Sequence, residues 1–268
     1  MEIKLNSIYN EDCFNSIQRM IDCGQNVDII LTSPPYNTGR QTTSERARSE
    51  NECRYDVHID NLSATGYCDW CVDIFNKMDN ILKKNGVVLW NVSYGNDATL
   101  NKESIGLIWL SIADIIRKTN FTVADRIVWK KKSALPNNTS KNKLTRICED
   151  VFVFCRKDEI KTFEANKKIK STNSKGQNYY ENIFNFIEAK NNDGSCPYNK
   201  ATYSSDLCEQ LLSIYAKENS VVYDPFMGTG TTAVACKKLG LHWIGSEISK
   251  NQCILAENRI AKVMAVQE

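Results

Sequence analysis

Two short segments of this sequence combine residue types suited to holding a planar, amino-bearing ring and a nucleoside. Residues 32–37 read TSPPYN, and residues 224–232 read DPFMGTGTT. Each follows directly on an apolar run, at 27–31 and at 221–223, that is typical of a buried strand. Together the two segments predict transfer of a group from a nucleoside cofactor to a nucleobase.

The first segment supplies acceptors for an exocyclic amino group. Pro34 and Pro35 have a fixed φ angle and no N–H donor, so their carbonyl groups remain available. The Ser33 hydroxyl and the Pro34 carbonyl are both able to accept hydrogen bonds from one –NH2 group. Tyr36 offers a ring face on which an extruded base would stack. The structural alternative is a rigid turn between a strand and a loop.

The second segment is suited to a nucleoside that has no phosphate chain. Gly228 and Gly230 permit a tight turn, and the helix that follows directs its first amides toward a ligand. The next strand ends at Glu247, where a carboxylate is able to accept both ribose hydroxyls. Neither G-x-G-x-x-G nor G-K-[ST] is present, which disfavours dinucleotides and nucleoside triphosphates and favours S-adenosylmethionine.

Strands alternating with amphipathic helices predict an α/β fold with a mostly parallel sheet and helices on both faces. A helix is expected over 64–83 and ended by Asn85-Gly86, with a strand over 87–92. Residues 160–200 show no regular pattern. Ligands on such sheets bind beyond the carboxyl ends of the strands, where both segments lie.

Composition excludes several other classes of protein. The chain has 268 residues, 42% of them hydrophobic, and no apolar run long enough to span a bilayer. It contains eleven cysteines and no secretory signal, so a reducing, cytoplasmic location is expected. Cys68 and Cys71 have metal-ligand spacing, but they fall in a helical pattern and are expected to be core residues. No metal is expected.

Basic residues are concentrated in the middle of the chain. Residues 126–175 contain 14 lysines or arginines and 5 aspartates or glutamates, a net charge of +9 within a chain of net charge +2. This asymmetry indicates a polyanionic partner bound on one face, and a solvated surface is the alternative.

Taken together, these motifs resemble those of the DNA methyltransferases that methylate amino groups, at cytosine N4 or adenine N6. The order of the catalytic motif, a basic segment and the cofactor motif is similar to that of the circularly permuted β class. The similarity extends to Asp12, to Arg146-x-x-Glu149, and to Lys200-Ala201-Thr202, where relatives often have His-Pro-Thr. It implies S-adenosyl-L-methionine as cofactor, double-stranded DNA as partner, and a permuted, Rossmann-like methyltransferase fold with a small inserted target-recognition region.

The resemblance also implies a division of the chain and roles for individual residues. Residues 1–129 would form the catalytic half, 130–200 the target-recognition region with the core strand 149–155, and 201–268 the cofactor-binding half. The expected catalytic residues are Ser33, Pro34, Pro35 and Tyr36. The expected cofactor-binding residues are Asp12, Asp224, Phe226, Gly228, Gly230, Thr231, Thr232, Glu247 and Thr202. The expected DNA-binding residues are Arg40, Lys130, Lys131, Lys132, Lys141, Lys143 and Arg146.

The target base is left open between two amino groups. Serine at position 33 is commoner among the cytosine-N4 enzymes, which favours cytosine, whereas Asn37 resembles many adenine-N6 enzymes. Methylation at cytosine C5 would need a Pro-Cys nucleophile, and none of the five prolines precedes a cysteine. A glutamine methyltransferase and an inactive DNA-binding partner are further alternatives. A homodimer and a cognate restriction endonuclease are possible partners, and the polar loop at 37–62 is expected to be mobile and functional.

Overall fold

A computed structural model describes residues 2–37, 62–93, 106–134, 136–139, 141, 144–191 and 203–263. Within these residues the helices are α1 (Cys13–Cys23), α2 (Ala64–Asp79), α3 (Gly106–Lys118), α4 (Ser205–Tyr215), α5 (Thr231–Lys238) and α6 (Lys250–Ala261). The strands are β1 (Ser7–Tyr9), β2 (Val27–Thr32), β3 (Leu82–Val92), β4 (Phe121–Lys131), β5 (Cys148–Arg156), β6 (Ile169–Thr172), β7 (Asn178–Tyr180), β8 (Phe186–Ala189), β9 (Val221–Asp224) and β10 (His242–Ser246).

Eight of the described strands form one sheet in the order β1-β10-β9-β2-β3-β5-β4-β8. All of them run parallel except β5, which lies antiparallel between β3 and β4. The mostly parallel α/β sheet predicted from the sequence is thus confirmed. The remaining two strands, β6 and β7, form a separate antiparallel hairpin.

Helices cover both faces of the sheet. Helices α1, α2 and α3 pack on one face with Ile30 of β2, and α4, α5 and α6 pack on the other with Ile29 and Leu31. Successive side chains of a strand point to opposite faces, so a strand buried on both faces must be apolar throughout. This explains the continuous apolar run before the first motif.

The strands β2 and β9 are neighbours although they lie far apart in the sequence, with Ile29 opposite Val222 and Ile30 opposite Tyr223. From β9 the chain continues outward to β10, and from β2 it continues outward in the other direction to β3. The carboxyl ends of β2 and β9 therefore flank the point where the strand order reverses, which is where open α/β sheets bind ligands. The fold places both sequence motifs at this point.

The junction between α2 and β3 differs from the prediction. The helix ends at Asp79, and Asn85 and Gly86 lie inside β3. They belong to an irregularity in the pairing, where Val27 is opposite Leu82 and Ile29 is opposite Val87. Asn85 has a φ of 60°, and a Cβ on Gly86 would lie 2.8 Å from the Asp28 carbonyl oxygen. Asn-Gly therefore forms a bulge in a strand here, not the end of a helix.

Four elements in two parts of the chain were not anticipated from the sequence. Residues 160–200 contain β6, β7 and β8, and β8 extends the main sheet by pairing with β4. The carboxyl-terminal helix α6 has a weak apolar pattern because its buried side chains include the small residues Cys253 and Ala256.

No helix in the described ranges has the length and apolarity needed to cross a membrane. Cys68 and Cys71 are buried on α2, as predicted.

Candidate active site

Asp224 joins the two motifs at the carboxyl ends of β9 and β2. Its Oδ1 accepts hydrogen bonds from the Thr32 hydroxyl (2.7 Å) and the Phe226 amide (3.0 Å), and its Oδ2 accepts one from the Thr232 hydroxyl (2.6 Å). Tyr203 lies 3.4 Å from the same Oδ2. Burial raises the pKa of the Asp224 carboxyl above its ordinary value, and the hydrogen bonds offset only part of this increase. Asp224 therefore holds the two motifs in register with each other.

The Ser-Pro-Pro-Tyr segment is fixed at three points and leaves one carbonyl available. The Ser33 and Tyr36 hydroxyls are 2.5 Å apart, and the Pro35 carbonyl accepts a hydrogen bond from the Tyr67 hydroxyl (2.9 Å). The buried Asn37 side chain exchanges two hydrogen bonds with the Leu62 backbone. Within the described part of the chain, the Pro34 carbonyl accepts no hydrogen bond. Ser33 and Pro34 thus offer the two acceptors that an amino group requires.

Asn91 is a polar residue of the site that the sequence reasoning missed. It lies near the carboxyl end of β3, is 1% exposed, and its Nδ2 is 3.0 Å from the Tyr36 hydroxyl and 3.4 Å from the Ser33 hydroxyl. The same Nδ2 donates to Glu149 Oε2 at 3.2 Å, and Glu149 forms an ion pair with Lys131. The available signal was an asparagine inside the otherwise apolar run VVLWNV.

Aromatic side chains form a wall beside the two motifs. The Phe226 ring lies 5.6 Å from the Trp70 ring and 6.4 Å from the Trp90 ring, measured between centroids. Tyr67, which holds the Pro35 carbonyl, stacks on Trp70 at 5.8 Å. The wall therefore connects the Gly-rich turn to helix α2 and to the Ser-Pro-Pro-Tyr segment.

Glu247 stands where the ends of β1, β9 and β10 meet. Its carboxylate accepts hydrogen bonds from the Gly228 and Ser249 amides, both at 2.8 Å, and its own amide donates to the Tyr9 carbonyl. A carboxylate oxygen has two lone pairs and is able to accept more than one hydrogen bond. The neighbouring Ile248 side chain is 47% exposed. Asp12 lies at the same sheet edge, where its exposed side chain caps α1 by accepting from the Phe14 amide (2.8 Å).

The Gly-rich turn is shaped by helix α6. Gly230 has a φ of 81°, and a Cβ added to it would lie 2.9 Å from the Ala256 Cβ, so the glycine is needed for helix packing as well as for the turn. Arg259 of α6 donates from one nitrogen to the Thr229 carbonyl, the Thr229 hydroxyl and the Thr231 hydroxyl. Burial lowers the pKa of Arg259 to about 10, so it remains charged at neutral pH. The sequence reasoning did not identify Arg259.

A comparison with protein families identifies the chain. The family model described as DNA methylase, for N6 and N4 methylation, matches residues 27–258. The chain belongs to this family. Its activity is transfer of a methyl group from S-adenosyl-L-methionine to an exocyclic amino group of DNA. The buried Glu247 carboxylate at the Gly-rich turn and the Ser33 and Pro34 oxygen atoms at the switch point are compatible with that activity.

Individual relatives agree with the family assignment. The chain is 26% identical to the type II methyltransferase M.BglII of Bacillus subtilis, over 94% of this chain and 68% of the relative. The solved structure of an M1.HpyAVI–SAM complex has a TM-score of 0.61 at 22% identity, covering 95% of this chain and 98% of the other. The cytosine-N4-specific PvuII DNA methyltransferase has a TM-score of 0.68 at 17% identity, covering 94% and 85%. These two structures share the fold of this methyltransferase.

The DNA-binding candidates that lie among the described residues of this methyltransferase fall into two groups. Lys130 and Lys131 form ion pairs with Glu188 and Glu149. Lys132, Lys141 and Arg146 are exposed on the connection between β4 and β5, at the same sheet edge as Ser33. Arg40, Lys143 and Thr202 lie outside the described residues, as do residues 38–61 of the loop at 37–62.

Proposed function

We propose that this DNA methyltransferase methylates the N4 amino group of a cytosine extruded from duplex DNA, with adenine N6 as the alternative target. The observation that carries the proposal is that Ser33 and Pro34 lie at the topological switch point and that the Pro34 carbonyl accepts no hydrogen bond from the described residues. The preference for cytosine rests on the serine at position 33, where a neutral hydroxyl serves as acceptor.

The acceptors activate the amino nitrogen for attack. Its lone pair is delocalised into the base ring, which makes it a poor nucleophile. Hydrogen bonds to Ser33 Oγ and to the Pro34 carbonyl draw both amino hydrogens toward the protein and favour a pyramidal nitrogen with its lone pair free. Bound S-adenosyl-L-methionine supplies an electrophilic methyl group on a sulfonium. The nitrogen would gain the methyl group as the carbon–sulfur bond breaks, S-adenosyl-L-homocysteine would leave with the electron pair, and one amino proton would pass to water. The protein would contribute orientation and preorganised acceptors.

The cofactor-binding roles divide between contact and support. Glu247 would accept the ribose hydroxyls, the exposed Ile248 would cover the adenine ring, and Asp12 would lie beside that ring. Gly228 would approach the cofactor through its backbone, and Thr202 would bind the methionine end. The other expected cofactor-binding residues would shape the Gly-rich turn, because each of them contacts another part of the protein. They are Asp224, Phe226, Gly230, Thr231 and Thr232.

The DNA would cross the carboxyl edge of the sheet. Lys132, Lys190 and Asn191 line an open cleft of about 270 Å³ at that edge. With Lys141 and Arg146 they form a basic surface that would bind phosphates, and the Lys130 and Lys131 ion pairs lie beside it. Arg40 and Lys143 are further candidates for phosphate contact.

The exposed aromatic residues Tyr179 and Tyr180 on the β6–β7 hairpin support a role of residues 130–200 in target recognition. Residues 1–129 and 201–268 would then provide the catalytic and cofactor-binding halves.

Identification of the methylated nucleoside tests the proposal. The protein is incubated with unmethylated genomic DNA and S-adenosyl-L-methionine, and the DNA is digested to nucleosides that are separated and weighed by mass spectrometry. N4-methylcytosine is the expected product. N6-methyladenine would establish the alternative target, and the absence of both would contradict the proposed function.

Two partners are proposed as well. The type II relative suggests a cognate restriction endonuclease acting in the bacterial cytoplasm, which a search for an adjacent nuclease gene followed by a DNA-protection assay would test.

The exposed Trp109 and Leu110 on α3 support a homodimer. Sedimentation of the protein should then give twice the monomer mass, and Trp109→Ser with Leu110→Ser should restore the monomer.

A further inference from the structure

Two adjacent lysines at the end of β4 form ion pairs of different character. Lys130 pairs with Glu188 at 2.7 Å, and both side chains are more than 40% exposed. Lys131 pairs with Glu149, whose side chain is only 8% exposed, and its ammonium also lies 4.9 Å from the Trp129 ring centroid. Exposed pairs contribute little, whereas a buried carboxylate needs its partners. The Lys131–Glu149 pair therefore calls for a role that the Lys130–Glu188 pair does not have.

Glu149 is connected to the acceptor site through one amide. Glu149 Oε2 accepts from Asn91 Nδ2 at 3.2 Å, and that nitrogen lies within 3.4 Å of both the Ser33 and Tyr36 hydroxyl oxygens. Three acceptor atoms thus surround the single –NH2 group of Asn91, a residue that is 1% exposed. The other end of the amide, Asn91 Oδ1, is buried and has no hydrogen-bond donor among the described residues.

The ion pair explains why Asn91 keeps this orientation. Turning the amide by 180° would place Oδ1 against the Glu149 carboxylate, and two acceptors in contact repel each other. A carboxylate held by Lys131 accepts only, so it requires the N–H end of the amide on its side. The same N–H end then faces Ser33 and Tyr36. This arrangement leaves Asn91 Oδ1 without a donor among the described residues. An asparagine with only a structural role would not leave a buried oxygen unpaired.

We propose that Lys131, Glu149 and Asn91 are positioning residues, which hold the Ser33 hydroxyl and the Tyr36 ring in the geometry that accepts the base amino group. This inference rests on the proposed function of Ser33 and Tyr36. It assigns Lys131 to the active site in place of the phosphate contact expected from the sequence. We expect the three residues to affect kcat more than binding, because Asn91 and the Glu149 side chain are largely buried and Asn91 contacts Ser33 and Tyr36.

A double-mutant cycle in the full-length protein tests this assignment. Glu149→Gln keeps the shape of the side chain but allows it to donate as well as accept, which frees the Asn91 amide to turn. We expect kcat to fall about tenfold to a hundredfold, as misplaced catalytic groups typically cause. The KM for DNA and for S-adenosyl-L-methionine should change less than twofold. Glu188→Gln is the matched control, since it breaks the neighbouring ion pair, and its kcat should equal that of the wild type.

The second arm asks whether Glu149 acts through Asn91. Asn91→Leu should lower kcat by a similar factor, and adding Glu149→Gln to Asn91→Leu should lower it no further. Fully additive losses, or an unchanged kcat in Glu149→Gln, would overturn the proposal. Calorimetric binding of S-adenosyl-L-methionine shows that each variant is folded.

Lys131→Met gives an independent answer if Glu149→Gln does not fold. The expected result is a loss of kcat with an unchanged salt dependence of DNA binding. A flatter salt dependence with an unchanged kcat would show that Lys131 binds phosphate, contrary to the proposal. Failure of the wild-type protein to methylate any base would instead contradict the proposed function, so the two failures are distinguishable.

Discussion

At the scale of single residues, the site depends on where one short side chain is held. Serine has one rotatable bond before its hydroxyl, so its reach is fixed by the backbone on which it sits. In this protein that backbone follows β2 directly and is stiffened by Pro34 and Pro35. Contacts with Tyr36 and Asn91 then fix the hydroxyl itself. Ser33 is therefore a positioned acceptor, and its contribution is expected to appear in the rate of methylation.

Ser33→Ala is predicted to lower kcat by about a hundredfold to a thousandfold, the range for loss of one preorganised hydrogen-bonding group. The dissociation constant for S-adenosyl-L-methionine should stay unchanged, because Ser33 does not contact the Gly-rich turn. Methyl incorporation into DNA and calorimetry measure the two quantities. Ser213→Ala, an exposed serine on α4, is the control. Equal losses of methylation and cofactor binding would show that the role of Ser33 is wrongly assigned.

At the scale of secondary structure elements, helix α6 supports the cofactor turn from behind. Ala256 and Ile260 pack against Gly230, and Arg259 fixes Thr229 and Thr231. The turn holds two glycines with positive φ, Gly228 and Gly230, so its conformation depends on glycine at both positions as well as on the packing of α6. Changes on α6 should therefore alter cofactor binding without contact to the cofactor.

Gly230→Ala is predicted to destabilise the protein more than Gly240→Ala. Both glycines have a left-handed φ, and an alanine there costs about 1–2 kcal/mol. A Cβ on Gly240 meets nothing within 4 Å, whereas one on Gly230 would overlap Ala256 and add about 1–3 kcal/mol of overpacking. Urea unfolding measures the difference. Equal stability of the two variants would refute the packing argument.

Arg259→Ala is predicted to raise the KM for S-adenosyl-L-methionine about tenfold, equal to 1.4 kcal/mol of binding free energy. The kcat at saturating cofactor should be retained, because the acceptor site is intact. Arg259→Lys should recover part of the loss, since all three hydrogen bonds come from a single nitrogen. Steady-state kinetics with the cofactor varied tests both variants, and a fall in kcat alone would rule out the supporting role.

At the scale of the whole molecule, the basic residues of the central stretch lie in different surroundings. Many basic residues of the central stretch are neutralised locally: Arg126 by Asp150, Lys130 by Glu188 and Arg156 by Asp79. The exposed Lys132, Lys141 and Arg146 lie between β4 and β5, beside the active site. Part of the positive charge of the central stretch therefore lies at the same sheet edge as Ser33.

Lys132→Ala is predicted to weaken DNA binding and to reduce the slope of log K against log salt by about 0.9, the value for one lost phosphate contact. Lys84→Ala is the matched control, because Lys84 is equally exposed but lies at the amino edge of the sheet, and its slope should equal that of the wild type. Fluorescence anisotropy with a labelled duplex gives both slopes. Equal slopes for the two variants would exclude Lys132 from the DNA interface.

Much of the fold follows from local pattern. Continuous apolar runs predicted β2 and β9, and helical spacing predicted α2, because burial on one or both faces of an element imposes a regular spacing of apolar residues in the sequence. The prediction from local pattern was wrong at Asn85-Gly86, because this dipeptide forms a bulge inside β3 and does not end a helix. It also failed for α6, whose buried residues include the small Cys253 and Ala256 and so give a weak apolar pattern. Local chemistry is ambiguous where one dipeptide or one small residue suits two backbone geometries.

The sequence by itself determined the two motifs, their order and the chemistry that their residue types permit. Only the tertiary structure decided that Thr32 and Asp224, 192 residues apart, share a hydrogen bond, which brings the two motifs to one site. It also decided that Asn91, Glu149 and Arg259 belong to that site. The contacts of these residues cannot be seen in the sequence, because a hydrogen bond between strands and helices depends on which elements become neighbours in space.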